Sequence, residues 1–420
     1  MAKKRLMLAY MDYATHTGFA SVSHNLMERL LPFFHENNIE VHICATNYLG
    51  ETYALTVGDA TATVFSAKSV ANNMKDLWYR DGMLKMLSEN PYEFWWVMND
   101  IPVMSPTMGL LKHIRTKIKS DKKHPNFKSI LYTPIDSKPN AEFMNDLDFW
   151  DLLVTYTEYG QKEIHHVVGP KQAVNIIPHG VNKKHFYKIP SFDKQAGREK
   201  WKLPVDSFIF GNINKNSSRK NIGGTLLAFY YFMQRYSSIE ADYNYIKPAL
   251  YLHMSPTDTT GINIYRACTQ LGIEEFVHFP EKDEYKKGNG YSVEEMNEVY
   301  NCLDCFVTTT TAEGWGLTVT EAMACELPIV APMHTSLKEI TENGEACYGV
   351  TVMIEHFQIA DYENVRHVPD PVITATQMMS AFKDVCQKKY PHREAYEDIL
   401  ENYDWDKIAK SWKDKFNKLW

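Results

Sequence analysis

Along the chain, short apolar runs alternate with stretches in which apolar residues return every three or four positions. Runs of the first kind read as strands buried in a parallel sheet, and stretches of the second as helices laid over it, so the pattern predicts an α/β fold. In the first half, strands are expected near residues 6–11, 40–45, 94–99, 129–133, 152–156 and 174–177. Between the first two, Phe19, Val22, Leu26, Leu30 and Phe33 fall on one helical face, and Asn37-Asn38 ends that helix. The stretch from Pro190 to Gly197 lacks periodicity and follows a completed strand and loop, which predicts a linker there. A second series then begins, with strands near 207–211, 249–253, 276–279, 304–308 and 328–331 and helices such as 220–234 and 294–302 between them.

Two layered units in succession agree with a length of 420 residues, beyond the size at which one core usually stops growing. The expected division is 1–190, 191–400 and a last helix, 401–420. In that helix Trp405, Ile408, Trp412, Phe416 and Trp420 make one aromatic stripe, which needs a partner surface and finds it by packing back on the first domain. Gly and Pro are not enriched and the apolar fraction of 44% is ordinary, which argues against disordered and fibrous classes. The apolar run after Lys3-Lys4-Arg5 meets Asp12 too soon for a signal peptide, and no other stretch has the apolar length of a spanning helix.

Charge and cysteine narrow the picture. A net charge of −7 argues against a protein coated for nucleic acid. Locally, Lys112, Arg115, Lys117, Lys119, Lys122, Lys123 and Lys128 are opposed only by Asp121; they read as a solvated helix end and loop, or as a platform for an anionic acceptor or membrane surface. The seven cysteines, several in apolar segments, predict buried thiols in a reducing cytosol. Cys302 and Cys305 form a CxxC without the further ligands of a zinc site. The expected location is therefore cytoplasmic, with peripheral contact to a membrane surface through the basic stretch.

The richest chemistry lies in Glu313-Gly314-Trp315-Gly316-Leu317-Thr318-Val319-Thr320-Glu321, between a predicted strand and a predicted helix. Glycines at such a turn admit close backbone approach, and a helix N-terminus offers unpaired N–H groups, so the turn suits a phosphate. Glu313 and Glu321 both reach that end and accept hydrogen bonds from hydroxyls, which together describe a nucleotide sugar. An isolated pair of this kind also fits a helix-end charge and an ordinary solvated Glu. After the first strand of the second series come Lys215, Arg219 and Lys220, cations that oppose the dipole of the helix they precede unless an anion is bound.

The run EGWGLTVTEAMACELPIVAP closely resembles the E-x7-E signature of the retaining glycosyltransferase family 4. The resemblance implies that Glu313 contacts the donor sugar, that Glu321 contacts the ribose, and that the backbone of Gly316, Leu317 and Thr318 holds the diphosphate. Relatives carry a basic pair on the diphosphate; the matching positions here are Lys215 and Lys220, with Arg219 as a substitute for the first. Lys215 stands where an Arg is usual, which keeps charge and loses the planar fork. The segments 156–160 and 177–182 look like family turns, with Asn182 where Asp is usual. Asp136 falls where many relatives place a His facing the sugar, and it also reads as a turn former before Pro139. Gly18 occupies the place of a glycine-rich loop beside the donor, His16 becomes a candidate acceptor contact, and His253 faces the ligand end of its strand by position.

The resemblance further implies the GT-B architecture, two facing Rossmann-like domains with a cleft between them, and transfer with retention from a nucleotide-diphosphate sugar to a hydroxyl acceptor. It implies no essential metal and no cofactor, with cationic side chains and helix amides on the departing diphosphate. The acceptor stays open among lipid, polysaccharide, metabolite, protein and modified DNA. The alternatives on the same fold are a nucleotide-sugar epimerase and a nucleotide-binding protein without catalysis. A dinucleotide dehydrogenase is disfavoured, because no G-x-G-x-x-G follows the first strand.

Overall fold

The computed structural model describes residues 4–13, 17–71, 76, 78–120, 127–280, 290–342, 345–353, 357–359, 364–390 and 395–420. The chain forms two compact units, one made of Met1–Gly180 with Trp405–Trp420 and the other of Val181–Asp404.

Unit 1 is built on eight strands: β1 (Arg5–Asp12), β2 (Ile39–Thr46), β3 (Tyr53–Val57), β4 (Ala60–Ser66), β5 (Phe94–Met98), β6 (Lys128–Thr133), β7 (Leu152–Thr155) and β8 (Asn175–Ile176). They lie in the order β3-β4-β2-β1-β5-β6-β7-β8, all parallel except the β3–β4 hairpin. The central strands β1 and β5 are almost wholly buried, as strands covered on both faces must be. Helix α1 (Gly18–Glu36) puts Val22, Leu26, Leu30 and Phe33 on its buried side, the face expected from the spacing. The C-terminal helix Trp405–Leu419 belongs to this unit. Its Trp412 ring meets Trp96 of β5 at 5.0 Å and Tyr132 of β6 at 4.9 Å, and Phe416 meets Phe34 of α1 at 5.0 Å.

Unit 2 has a wholly parallel sheet of six strands: β9 (Ser207–Ile213), β10 (Lys247–His253), β11 (Val277–His278), β12 (Cys305–Val307), β13 (Ile329–Pro332) and β14 (Tyr348–Val350), in the order β11-β10-β9-β12-β13-β14. One face carries α2 (Ile222–Tyr236) and the later helix Pro371–Cys386, whose Phe229, Phe232 and Phe382 join Phe208 and Phe210 of β9 in one core. Helix α3 (Val293–Cys302) and α4 (Leu317–Ala324) flank β12 in sequence, and a hairpin of β15 (Phe357–Ile359) and β16 (Val365–His367) follows the sheet.

The units divide at 180/181 and 404/405, not at 190/191 and 400/401. The stretch expected as a linker is tied into unit 2 by contacts remote in sequence. The N–H groups of Tyr187 and Ile189 donate to the amide oxygens of Asn297 and Asn301, one turn apart on α3. Lys194 and Arg198, one turn apart on the helix Lys194–Lys200, both bind the Asp304 carboxylate at 2.6 Å. The strands β3, β4 and β14 and the β15–β16 hairpin were absent from the sequence expectation; β3 lies at a sheet edge, largely exposed, where apolar patterning is weak. All seven cysteines are free, and burial pushes the Cys302 thiol up to about 11 and that of Cys305 well above the usual range. Among the described residues no helix is long and apolar enough to cross a membrane.

Candidate functional site

Parallel α/β sheets bind ligands at the carboxyl ends of their strands, where helix N-termini converge. In unit 2 that end of β12 runs into Thr308, Thr309, Thr310 and Thr311, all buried. The hydroxyls lace this loop to the turn before α2. Thr309 Oγ1 donates to the carbonyl of Asn221 at 2.8 Å, Thr311 Oγ1 donates to that of Arg219 at 3.0 Å, and the Thr311 N–H donates to the same Arg219 carbonyl at 2.9 Å. Asn221, at φ +49°, caps α2 by accepting the Gly224 N–H. The lacing fixes where the side chains of Arg219 and Lys220 emerge.

They emerge on Glu313. Arg219 Nη1 donates to Glu313 Oε2 at 2.9 Å and to the Ala312 carbonyl at 2.5 Å, while Lys220 Nζ binds Glu313 Oε1. Burial alone would push the Glu313 carboxyl up, but Lys220 and Arg219 outweigh it and hold the group down at about 2. Two cations thus meet on one buried carboxylate, and buried charge of this kind is stable only when paired and hydrogen-bonded. The Glu313 backbone is held as well: its N–H donates to Thr335 Oγ1 at 3.2 Å, and Ser336 Oγ donates to its carbonyl at 2.9 Å.

Gly316 starts α4 at φ +110°, and a Cβ there would meet Leu337 Cδ2 at 2.8 Å, so the turn admits only glycine without strain. The N–H groups of Val319 and Thr320 return to the Gly316 carbonyl, whereas those at the very start of a helix have no partner within it. Leu317 and Thr318 lie there, partly exposed. Further along α4, Glu321 accepts from the Tyr300 hydroxyl at 2.7 Å, and burial pushes its carboxyl up to about 7. The expected segment therefore comes together as two acids of opposite character on either side of a helix N-terminus.

The other expected residues divide. Arg219 joins the cluster, and Lys215 does not: its side chain is 64% exposed, with Nζ 3.9 Å from Asp258. His253 is buried at the end of β10, bound through Nδ1 to the Tyr251 hydroxyl at 2.8 Å and held down to about 4 by burial. In unit 1, Asp136 is half-buried beyond the carboxyl end of β6 and accepts from Ser137 Oγ at 2.9 Å. Gly18 is the exposed first residue of α1, behind the cap formed by Thr17. His16 lies outside the described residues, as do the side chains of Arg115, Lys117 and Lys119 and the whole of residues 121–126. Lys112 is exposed and bound to Asp146.

Sequence reasoning missed Tyr300, Thr335 and Ser336. Tyr300 carried no signal, since it reads as an apolar position of α3. Thr335 and Ser336 follow β13 directly, and the rule that ligands gather at strand carboxyl ends would have marked them.

The family model described as "Glycosyl transferases group 1" matches residues 281–360, the stretch that holds Glu313, Glu321 and Thr335. The alpha-monoglucosyldiacylglycerol synthase of Acholeplasma laidlawii is 26% identical over 173 residues, a match that spans 40% of this chain and only 38% of that protein. Among solved structures, sucrose-phosphate synthase from Thermosynechococcus elongatus superposes with a TM-score of 0.70 at 14% identity, over 99% of both chains. HepE of Anabaena, solved with UDP and glucose, superposes with a TM-score of 0.67 at 14% identity, over 99% of this chain and 100% of the other. The chain thus has the GT-B fold of nucleotide-sugar-dependent glycosyltransferases, with a glycosyl transferases group 1 segment at its candidate site.

Proposed function

We propose that the chain is a glycosyltransferase that takes a nucleotide-diphosphate sugar, of the UDP-glucose type, as its donor and transfers the sugar with retention to a hydroxyl acceptor. The observation that carries the reading is the convergence of two cations, Arg219 and Lys220, on Glu313 beside the helix start at Leu317 and Thr318. A diphosphate placed there meets two cations and two backbone donors, and drawing those cations toward phosphate releases the Glu313 carboxylate to accept from a sugar hydroxyl. Glu321, on the far side of the helix start, takes the ribose. As the bond from the anomeric carbon to the leaving oxygen breaks, charge builds on the diphosphate, and Arg219, Lys220 and the amides stabilise it where it develops, without a metal or cofactor. On the same face the acceptor oxygen bonds to the anomeric carbon as its proton passes to the leaving phosphate.

The group 1 family match and the likeness to UDP-binding GT-B structures support this reading. Cytoplasmic location with peripheral contact to a membrane surface through the stretch containing Lys112 and Lys128 belongs to it as well. In unit 1, Asp136 and Gly18 remain assigned to the sugar and diphosphate, and His16 to the acceptor.

The test is calorimetric titration of UDP-glucose with wild type and Glu313→Gln, followed by acceptor-free turnover. Wild type should bind the nucleotide sugar and hydrolyse it slowly without interconverting sugars, and Glu313→Gln should lower turnover about 100-fold or more. Sugar interconversion would point to an epimerase, and unchanged turnover in Glu313→Gln would remove that residue from the sugar.

A further inference from the structure

Three observations converge on the loop after β13. Thr335 sits at φ +50°, in the left-handed region that a β-branched residue adopts only when its surroundings force it. Its hydroxyl is used on both sides: Oγ1 accepts the Glu313 N–H at 3.2 Å and lies 3.2 Å from His334 Nδ1. The other ring nitrogen of His334, Nε2, is buried without a hydrogen bond of ordinary geometry among the described residues, the Thr310 carbonyl being a backbone acceptor near the ring, and His367 Nδ1 on β16 is likewise buried and unmatched. A folded chain rarely leaves buried polar atoms unmatched unless a ligand or water completes them. The His334 ring feels the charges of both Glu313 and His367, and Gln358 of strand β15, paired with β16, reaches Thr311 Oγ1 at 3.4 Å.

From this geometry we infer that His334 is a specificity-determining contact of the donor sugar. Its Nε2 hydrogen-bonds a sugar hydroxyl beside the one taken by Glu313, and His367 borders the same pocket. The inference rests on the donor-site reading given above. The strained Thr335 holds the imidazole through Nδ1 and so aims Nε2. Burial holds the imidazole at about 4, so it is neutral near pH 7, and a neutral ring can either donate to or accept from a hydroxyl. A cation there would instead select an anionic sugar. The residue therefore reads an uncharged hydroxyl, and a site built to pair with a hydroxyl discriminates strongly against analogues that lack it.

The test uses the whole protein, UDP and UDP-glucose. Asn in place of His334 preserves a polar atom near Nδ1 and removes Nε2, whereas Gln preserves one near Nε2. His334→Asn should leave the UDP Kd within about twofold of wild type and weaken UDP-glucose about tenfold or more, and His334→Gln should recover part of that loss. In 15N-histidine spectra the Nε2 resonance of His334 should move when UDP-glucose is added and stay in place with UDP. Equal UDP-glucose affinity in His334→Asn and wild type, or an Nε2 signal indifferent to UDP-glucose, overturns the inference while leaving the donor site standing. Loss of UDP and UDP-glucose affinity together in both variants also overturns it, since it marks the residue as structural. Wild-type protein that binds neither probe sinks the donor reading itself, and this inference with it.

Discussion

Glu313 and Glu321 stand in one segment, yet burial acts on them to opposite net effect. Around Glu313 the cost of burial is overcome by Arg219 and Lys220, and the carboxyl is held at about 2; around Glu321 only the Tyr300 hydroxyl opposes burial, and the group rises to about 7. The linkage follows from the signs. Stability from ionised Glu313 is present above the ordinary carboxyl range and is lost as pH falls toward 2. Stability from protonated Glu321 is full below that range and is lost as pH rises through 7. Between pH 4.5 and 8, urea midpoints of the wild type should therefore decline more steeply than those of Glu321→Gln, and parallel curves would refute the assignment. A second expectation separates the cations. Arg219→Ala and Lys220→Ala should each weaken UDP binding about tenfold or more, with Lys215→Ala within about twofold, as calorimetry can show. An equal loss at Lys215 would return it to the diphosphate. That difference between lysines was not legible in the sequence, where a preference for Lys215 came from spacing in relatives. Its amine is drawn toward Asp258, a neighbour only in three dimensions.

Elements were more legible than their connections. The β12–α4 turn announced itself because glycine is needed at one sharp place, and Gly316 shows why: positive φ and Leu337 leave no room for a side chain. Gly316→Ala should cost about 1–3 kcal/mol in urea unfolding and lower UDP affinity by moving the first amides of α4. An unchanged affinity would mean that those amides do not bind the diphosphate. Most strands of both sheets were recoverable from apolar runs, because parallel strands are buried on two faces. The edge strand β3, its hairpin partner β4 with alternating burial, and the short strands β14, β15 and β16 were not, being too exposed or too brief to leave such a run. The expected linker failed for a different reason: Lys194 and Arg198 look like solvated charges until Asp304 is placed beside them.

At the scale of the whole molecule, the chain leaves unit 1 at Gly180 and re-enters it at Trp405. Gly180 lies against Trp405, where a Cβ would meet the indole at 2.5 Å, and the Val181 N–H donates to the Tyr403 carbonyl at 2.8 Å. The aromatic stripe predicted from spacing is realised as core, with Trp405, Trp412 and Phe416 all buried. Trp412→Ala should remove about 3–5 kcal/mol from unit 1. Hydrogen exchange should show the loss in β5 and β6 and leave the β9–β12 sheet protected; a uniform loss would make the two units one cooperative block. This arrangement also sets a schedule for synthesis. Unit 2 has all six strands of its parallel sheet once residue 350 is made, whereas the first unit begun is the last one finished. Until the helix Trp405–Leu419 leaves the ribosome, Trp96, Tyr132 and Phe34 lack the cover of Trp412 and Phe416, and the nascent chain must be shielded from its neighbours for the whole time that unit 2 takes to be translated.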